Sequence, residues 1–253
     1  MSFEADCPFV GRIAPAVNFG TRKGIDQPDV LMLHYTGMPS AEGALKWLCA
    51  EESGVSCHYF IFEDGEIVQL LPESARAHHA GVSFWQGDTD LNSRSIGVEI
   101  ANAGHSVDPL PEFPKVQMEA VLRLSQDVIA RHGIAAPLVL AHSDVAPNRK
   151  ADPGENFDWK WLAENGVGHF VEPSPITSGR FFQQGDSGQP VEAIQTMLQL
   201  YGYDVPTSGD FDEKTHLAVT AFQRHFRQQK VDGVADVSTI DTLHRLLKAL
   251  PSV

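Results

Sequence analysis

The chain has 253 residues, 42% of them hydrophobic, and a formal net charge of −14. That length and composition allow one large domain or two smaller ones with an ordinary apolar core. The acidic balance speaks against a nucleic-acid partner and against simple adhesion to an anionic membrane, while leaving open a sugar or peptide substrate held by local groups.

In chain order, residues 30–35 (Val-Leu-Met-Leu-His-Tyr) form a short apolar run that predicts a buried strand. Ser40 is placed to cap a helix from 41 to about 51. Residues 58–71 read as a hairpin: two apolar runs flank Asp64-Gly65, the turn signal for tight hairpins. Another strand is predicted over 95–101. Residues 114–132 carry Val116, Met118, Val121, Leu122, Leu124, Val128 and Ile129 at helical spacing, with Pro114 near the first turn and Gly133 at the end. A strand over 137–141 then delivers His142 at its tip, and a helix is expected over 157–164. Interspersed strands and helices predict an α/β (α+β) fold in which a central mixed β-sheet is flanked by helices. Residues 166–180, rich in Gly, Pro and Ser, read as a linker. Three helical patterns follow at 191–200, 215–226 and 239–250. The expected division is 1–167, a linker at 168–180, and a small three-helix C-terminal domain at 181–253.

Cys7, Cys49 and Cys57 are an odd set without C-x-x-C spacing. Free thiols in a reducing compartment are therefore expected, not a disulfide framework. The first residues show no basic segment leading into an apolar run, and no stretch is long enough to span a bilayer. The expectation is a cytoplasmic protein without membrane insertion, or a periplasmic one if a leader has been removed.

The segment 142–154, His-Ser-Asp-Val-Ala-Pro-Asn-Arg-Lys-Ala-Asp-Pro-Gly, concentrates chemistry. His142, Lys150 and Asp152 share one stiff, non-helical loop. Among eleven histidines a lone one means little. His34 and His142, however, each close a predicted strand, and two strand ends bring imidazoles together on one rim of a sheet. With Asp152 they make two His and one carboxylate, which leaves a tetrahedral Zn²⁺ position open, as catalytic sites do. Lys150 is suited to neutralising charge on an attacked carbonyl oxygen. Glu99 stands in an apolar strand, where a carboxylate is costly unless partnered. It is read either as a salt-bridged or edge-strand residue or, beside a zinc centre, as a general base.

Several stretches then carry a family resemblance: Leu-His-Tyr-Thr at 33–36, Val-Ser-Cys-His-Tyr at 55–59, His-His-Ala-Gly-Val-Ser-Phe-Trp at 78–85, Asn92, Ser-Ile-Gly-Val-Glu-Ile at 95–100, and the His-x7-Lys-x-Asp-Pro-Gly loop. Residues 28–165 resemble the type 2 (AmpD/AmiD-like) zinc-dependent N-acetylmuramoyl-L-alanine amidases. The resemblance implies Zn²⁺ on His34, His142 and Asp152, Glu99 as catalytic acid–base, and Lys150 stabilising the oxyanion. Asp as third ligand fits the bacterial branch rather than the phage-lysozyme branch, which has Cys. Peptidoglycan-recognition proteins share the fold, and some lack zinc ligands and bind without cleaving; this chain keeps the full set. Candidate substrate-binding residues are Tyr35, His58, His79, Trp85, Asn92 and Arg94. Of these, His79 and Trp85 are expected to line the groove, and His58 to lie near the metal in a core or substrate-contacting role.

The C-terminal part resembles the three-helix peptidoglycan-binding domain 1 family. Its cues are Gly185-Asp186-Ser187-Gly188, Gln195, Leu198, Tyr201-Gly202-Tyr203, Gly209-x-Phe211, Thr215, Ala221-Phe222-Gln223 and Val231-Asp232-Gly233. These specify fold more than binding, and a module that only packs against the amidase groove is the alternative. The resemblance implies hydrolysis of the amide between MurNAc, in its 1,6-anhydro form, and L-Ala of muropeptides during recycling. Wall remodelling, a lytic enzyme and a non-hydrolytic muropeptide sensor are the alternatives.

Overall fold

A computed structural model describes residues 3–250. Its strands are β1 (Arg12–Ile13), β2 (Phe19–Thr21), β3 (Val30–Tyr35), β4 (Tyr59–Ile61), β5 (Ile67–Gln69), β6 (Ala75–Ala77), β7 (Ser95–Ile100) and β8 (Val139–Ala141). Its helices are α1 (Ala41–Cys49), α2 (Leu91–Arg94), α3 (Lys115–His132), α4 (His142–Val145), α5 (Trp159–Glu164), α6 (Gln189–Tyr201), α7 (Glu213–Phe226) and α8 (Val237–Lys248). Among the described residues no helix is long and apolar enough to cross a membrane.

Six strands form one mixed sheet in the order β1-β5-β4-β7-β3-β8. Strands β4, β7, β3 and β8 run parallel, and the β4–β5 hairpin supplies the antiparallel join. Strands β2 and β6 make a separate antiparallel pair. Alternation along the strands assigns the two faces. Leu31, Leu33, Ile96, Val98 and Ile100 point to one face, where α3 brings Met118, Val121, Leu124 and Val128 at spacings of three and four, and α5 adds Leu162. The opposite face is covered in two patches. Helix α1 packs Ala44, Leu45 and Leu48 around Phe60 and Val68. The C-terminal helices pack around Met32 and Leu140 in a cluster that includes Val191, Tyr203 and Phe222. Between the two patches lie His34 and Glu99, paired in register on β3 and β7.

Local chemistry sets the element ends. Ser40 Oγ accepts from Gly43 N at 3.1 Å and starts α1. That helix stops at Cys49, short of the expected 51, and a single 3₁₀ turn takes over at Glu51–Ser53. Gly65, at φ +85°, turns the hairpin, since only a residue without Cβ takes that conformation cheaply. Helix α3 ends on Gly133 in a left-handed C-cap. Asp158, Asp212 and Asp236 cap α5, α7 and α8 through their side chains. Gln195 and Gln223 are buried and bond the loop backbone at Gly209 and Asp210 and at Asp232–Val234, so these motif residues hold the turns of the helical region. The short pieces β1, β2, β6, α2 and α4 have no periodicity of their own to announce them.

Residues 169–177 contain no helix or strand. They are nevertheless tied down: Ser174 N donates to Thr242 Oγ1 at 3.0 Å, and Phe170 and Val171 pack into the apolar cluster. Cys7, Cys49 and Cys57 are all free thiols.

Candidate metal centre

Strands β3 and β8 end side by side, with Leu33 paired to Ala141, so the next residues in the chain, His34 and His142, meet at the carboxyl ends of parallel strands. That rim is where α/β sheets place their ligand sites. The loop from α4 folds back, and Ser143 N donates to the Asp152 backbone oxygen at 3.0 Å, bringing the carboxylate under the imidazoles. His34 Nδ1, His142 Nδ1 and Asp152 Oδ2 then form a triangle with sides of 2.9, 3.0 and 3.0 Å. All three side chains are buried. Bonds of about 2.0–2.1 Å put tetrahedral zinc ligands about 3.3–3.4 Å apart, close to what is seen.

The outward nitrogens show why this triangle suits a cation. His142 Nε2 donates to Ala80 O at 3.1 Å. His34 Nε2 donates to His79 Nδ1 at 2.9 Å, His79 Nε2 to Ser95 Oγ at 3.1 Å, and Ser95 Oγ to Leu91 O at 2.5 Å. Each ring nitrogen that faces inward is thereby left with a lone pair, and both lone pairs point at a carboxylate oxygen. Three acceptors converging without a proton repel one another, and a divalent cation resolves the conflict. Burial, reinforced by His142, lowers the His34 pKa to about 4, so the ring is neutral at pH 7. The donor set, two imidazoles and a carboxylate, fits Zn²⁺ with one position open.

Glu99 and Lys150 line the same cavity of about 300 Å³ as His142 and Asp152. The Glu99 carboxyl is pushed well above its ordinary pKa, first by burial and then by the charge of Asp152, with Lys150 opposing. Its Oε2 is buried without a hydrogen-bond partner. Glu99 therefore makes no salt bridge among the described residues, and it lines the cavity beside the metal ligands.

Of the candidate substrate-binding residues, Tyr35 lines the cavity, and its hydroxyl donates to His105 Nδ1 at 2.9 Å. His79 lines it too, and His58 takes the core place that was one of its two expected roles; Trp85, Asn92 and Arg94 need correction. The His79 ring also bonds His34 and orients it; the close approach depends on Gly97, where a Cβ would sit 2.6 Å from the His79 ring. His58 is fully buried and bridges strands, accepting from Gly97 N and donating to Ala75 O. Trp85 has no exposed surface and packs edge-on against Tyr203 and Tyr201 of the C-terminal region. Asn92 Oδ1 accepts from the backbone N–H groups of His79 and Ala80, holding the turn that supports both imidazoles. Arg94 grips Asp29 through two bonds at the start of β3 and β7, the strand ends opposite the site.

Two site residues escaped sequence reasoning. Arg149 clamps the Ala80 and Val82 carbonyls, fixing the loop that carries Lys150. Trp47 forms a cavity wall while 46% exposed. It stands off the buried Ala44–Leu45–Leu48 stripe of α1, and that displacement was the available signal.

Comparison with known proteins agrees with this geometry. The N-acetylmuramoyl-L-alanine amidase family model matches residues 25–155, and a peptidoglycan binding domain model matches 187–243. The N-acetylmuramoyl-L-alanine amidase AmiD of Escherichia coli (strain K12) is 36% identical over 233 residues, covering 87% of this chain and 82% of that protein. Its solved complex with anhydro-N-acetylmuramic acid-L-Ala-D-gamma-Glu-L-Lys superimposes with a TM-score of 0.75 at 32% identity, over 91% of this chain and 97% of that one. The 1,6-anhydro-N-acetylmuramyl-L-alanine amidase AmpD of Enterobacter cloacae is 33% identical over 58% of this chain and 86% of that protein. With two imidazoles and a carboxylate converging on one point at the rim of a matching sheet, the chain belongs to the zinc-dependent N-acetylmuramoyl-L-alanine amidases.

Proposed function

We propose that this enzyme hydrolyses the amide between the lactyl group of MurNAc, in its 1,6-anhydro form, and the L-Ala of soluble muropeptides, in peptidoglycan recycling. The observation that carries the reading is the shared cavity: the converging ligands His142 and Asp152, the unpartnered Glu99 and Lys150 all face it. The substrate class rests on the relatives, one of them solved with an anhydro-muropeptide.

His34, His142 and Asp152 would hold the ion, and a bound zinc ion supplies Lewis acidity and lowers the pKa of water. Glu99 takes the proton released as the water oxygen bonds to the lactyl carbonyl carbon. Lys150 offers its ammonium to the oxygen that becomes negative. As the carbon–nitrogen bond breaks, Glu99 returns its proton to the departing amine. The products are a muramyl carboxylic acid and a peptide with a free L-Ala amino group. Trp47 presents a flat apolar wall on which a sugar ring stacks.

A second reading has its own support. The helical region matched to a peptidoglycan binding family favours attack on polymeric wall. Mass spectrometry of products from anhydro-muropeptides, reducing-end muropeptides and intact sacculi separates the two. Release of peptide from anhydro-muropeptides at rates far above the others supports recycling; preference for sacculi sinks it. On the recycling reading the enzyme works in the cytoplasm, on the wall reading outside the membrane, and cell fractionation of the native gene product decides between them.

A further inference from the structure

The loop that carries two of the metal ligands is held at both ends by the C-terminal helices. Asp144, two residues past His142, is fully buried. Its Oδ2 accepts from Ala141 N at 2.8 Å, closing the turn at the end of β8. The same oxygen accepts from His225 Nδ1 at 2.7 Å, and Oδ1 accepts from the Tyr203 hydroxyl at 2.7 Å. Two of the three donors to this carboxylate therefore come from the helical region. At the far end of the loop, Glu155 Oε1 accepts from Arg224 Nε at 2.8 Å, and Gln228 Nε2 donates to the Phe157 oxygen at 2.8 Å. The His225 ring also stacks on Trp159 at 3.8 Å. The last turn of α7 thus touches both ends of the segment that runs from His142 past Asp152.

We propose that Tyr203, His225 and Arg224 are positioning residues for the metal centre, and that the C-terminal helical region braces the 142–155 loop in its ligand-bearing form. This rests on the metal-centre reading above. The physical reason is the cost of a buried carboxylate left with one donor. Without Tyr203 and His225, the α4 turn must open to hydrate Asp144, and His142 sits in that turn. Outer partners of metal ligands change metal affinity or activity by about 10–100-fold. A region that served only to bind wall material would have no need of charge-assisted bonds to this loop.

The test uses the full chain carrying Tyr203→Phe and His225→Phe together, which deletes both donors and keeps both rings. Three quantities are read: zinc affinity by competition with a chelator, backbone amide exchange of metal-free protein, and kcat and KM on a soluble muropeptide. The expected result is zinc affinity lower by roughly 10–100-fold, faster exchange confined to 141–155, and a fall in kcat with KM little changed. His225→Gln, which keeps a donor, should restore part of the loss. Leu246→Ala destabilises the same helical region from its core without touching Asp144, and should leave zinc affinity at the wild-type value. Wild-type zinc affinity and unchanged exchange in the double variant overturn the proposal. If the double variant does not fold, Arg224→Gln is read the same way, a smaller loss supporting the brace and no change refuting it. If the wild-type chain binds no zinc, the metal-centre reading fails, and the exchange measurement still decides on the brace.

Discussion

On the proposed mechanism Glu99 and Lys150 divide the chemistry at the centre, and each role has a separate signature. Glu99→Gln should lower hydrolysis by about 10²–10⁴-fold, the usual worth of a positioned acid–base group, while zinc still binds. Lys150→Ala should cost about 10²–10³-fold, as loss of an oxyanion donor does. Steady-state kinetics with metal analysis on each variant checks both, and near-wild-type turnover in either would remove its role. The Glu99 carboxyl also makes a stability prediction. Its folded pKa lies well above 4.5, so the folded state holds a proton that the unfolded state gives up as pH rises past 4.5. Stability from this group is present below pH 4.5 and is lost as pH climbs toward the raised value. Metal-free Glu99→Gln should therefore melt near wild type at pH 4 and a few degrees higher at pH 8, since about 1 kcal/mol moves Tm by ~2–4 °C at this size. Calorimetry at the two pH values decides it. His34, His142 and Asp152 were readable as ligands because strand ends and a Pro-flanked Asp locate side chains directly. Trp85 was not readable, because nothing near it tells that Tyr201 and Tyr203, more than a hundred residues on, cover it.

At the scale of elements, the long periodic ones were legible: β3, the β4–β5 hairpin, β7, α3 and α6–α8 lie within a few residues of where periodicity and capping residues put them. The two- to four-residue pieces carry too little pattern to stand out, since their pairing partners are remote. Strand β7 holds the sharpest element-level consequence. Gly97 gives His79 room, so that its ring reaches His34 Nε2. Gly97→Ala adds one methyl 2.6 Å from that ring. We expect the strand to form and zinc affinity to drop by roughly 10–100-fold through loss of His34 orientation. Chelator competition measures it, and unchanged affinity would show that His79 plays no part.

For the whole molecule, the centre sits between α1 on one side and the C-terminal helices on the other, so metal, sheet and helical region share one stability. A ligand that binds only the folded state stabilises it by about 4 kcal/mol at a thousand times its Kd. Stripping zinc should lower Tm by roughly 8–16 °C, and re-addition should restore it; a Tm indifferent to zinc would contradict a metal bound by these three buried groups. The sequence by itself determined the mixed sheet and the candidate ligands His34, His142 and Asp152, because strand alternation and a stiff loop act over a few residues, and its resemblance to a known family pointed to the amidase fold. Only the tertiary structure decided that His79 and Asn92 support the ligands, that Arg149 clamps the Ala80 and Val82 carbonyls, that Trp47 belongs to the cavity, and that Asp144 is held from α7 and Tyr203. Those assignments depend on which remote surfaces meet, and a contact across sixty or eighty residues leaves no local period to read.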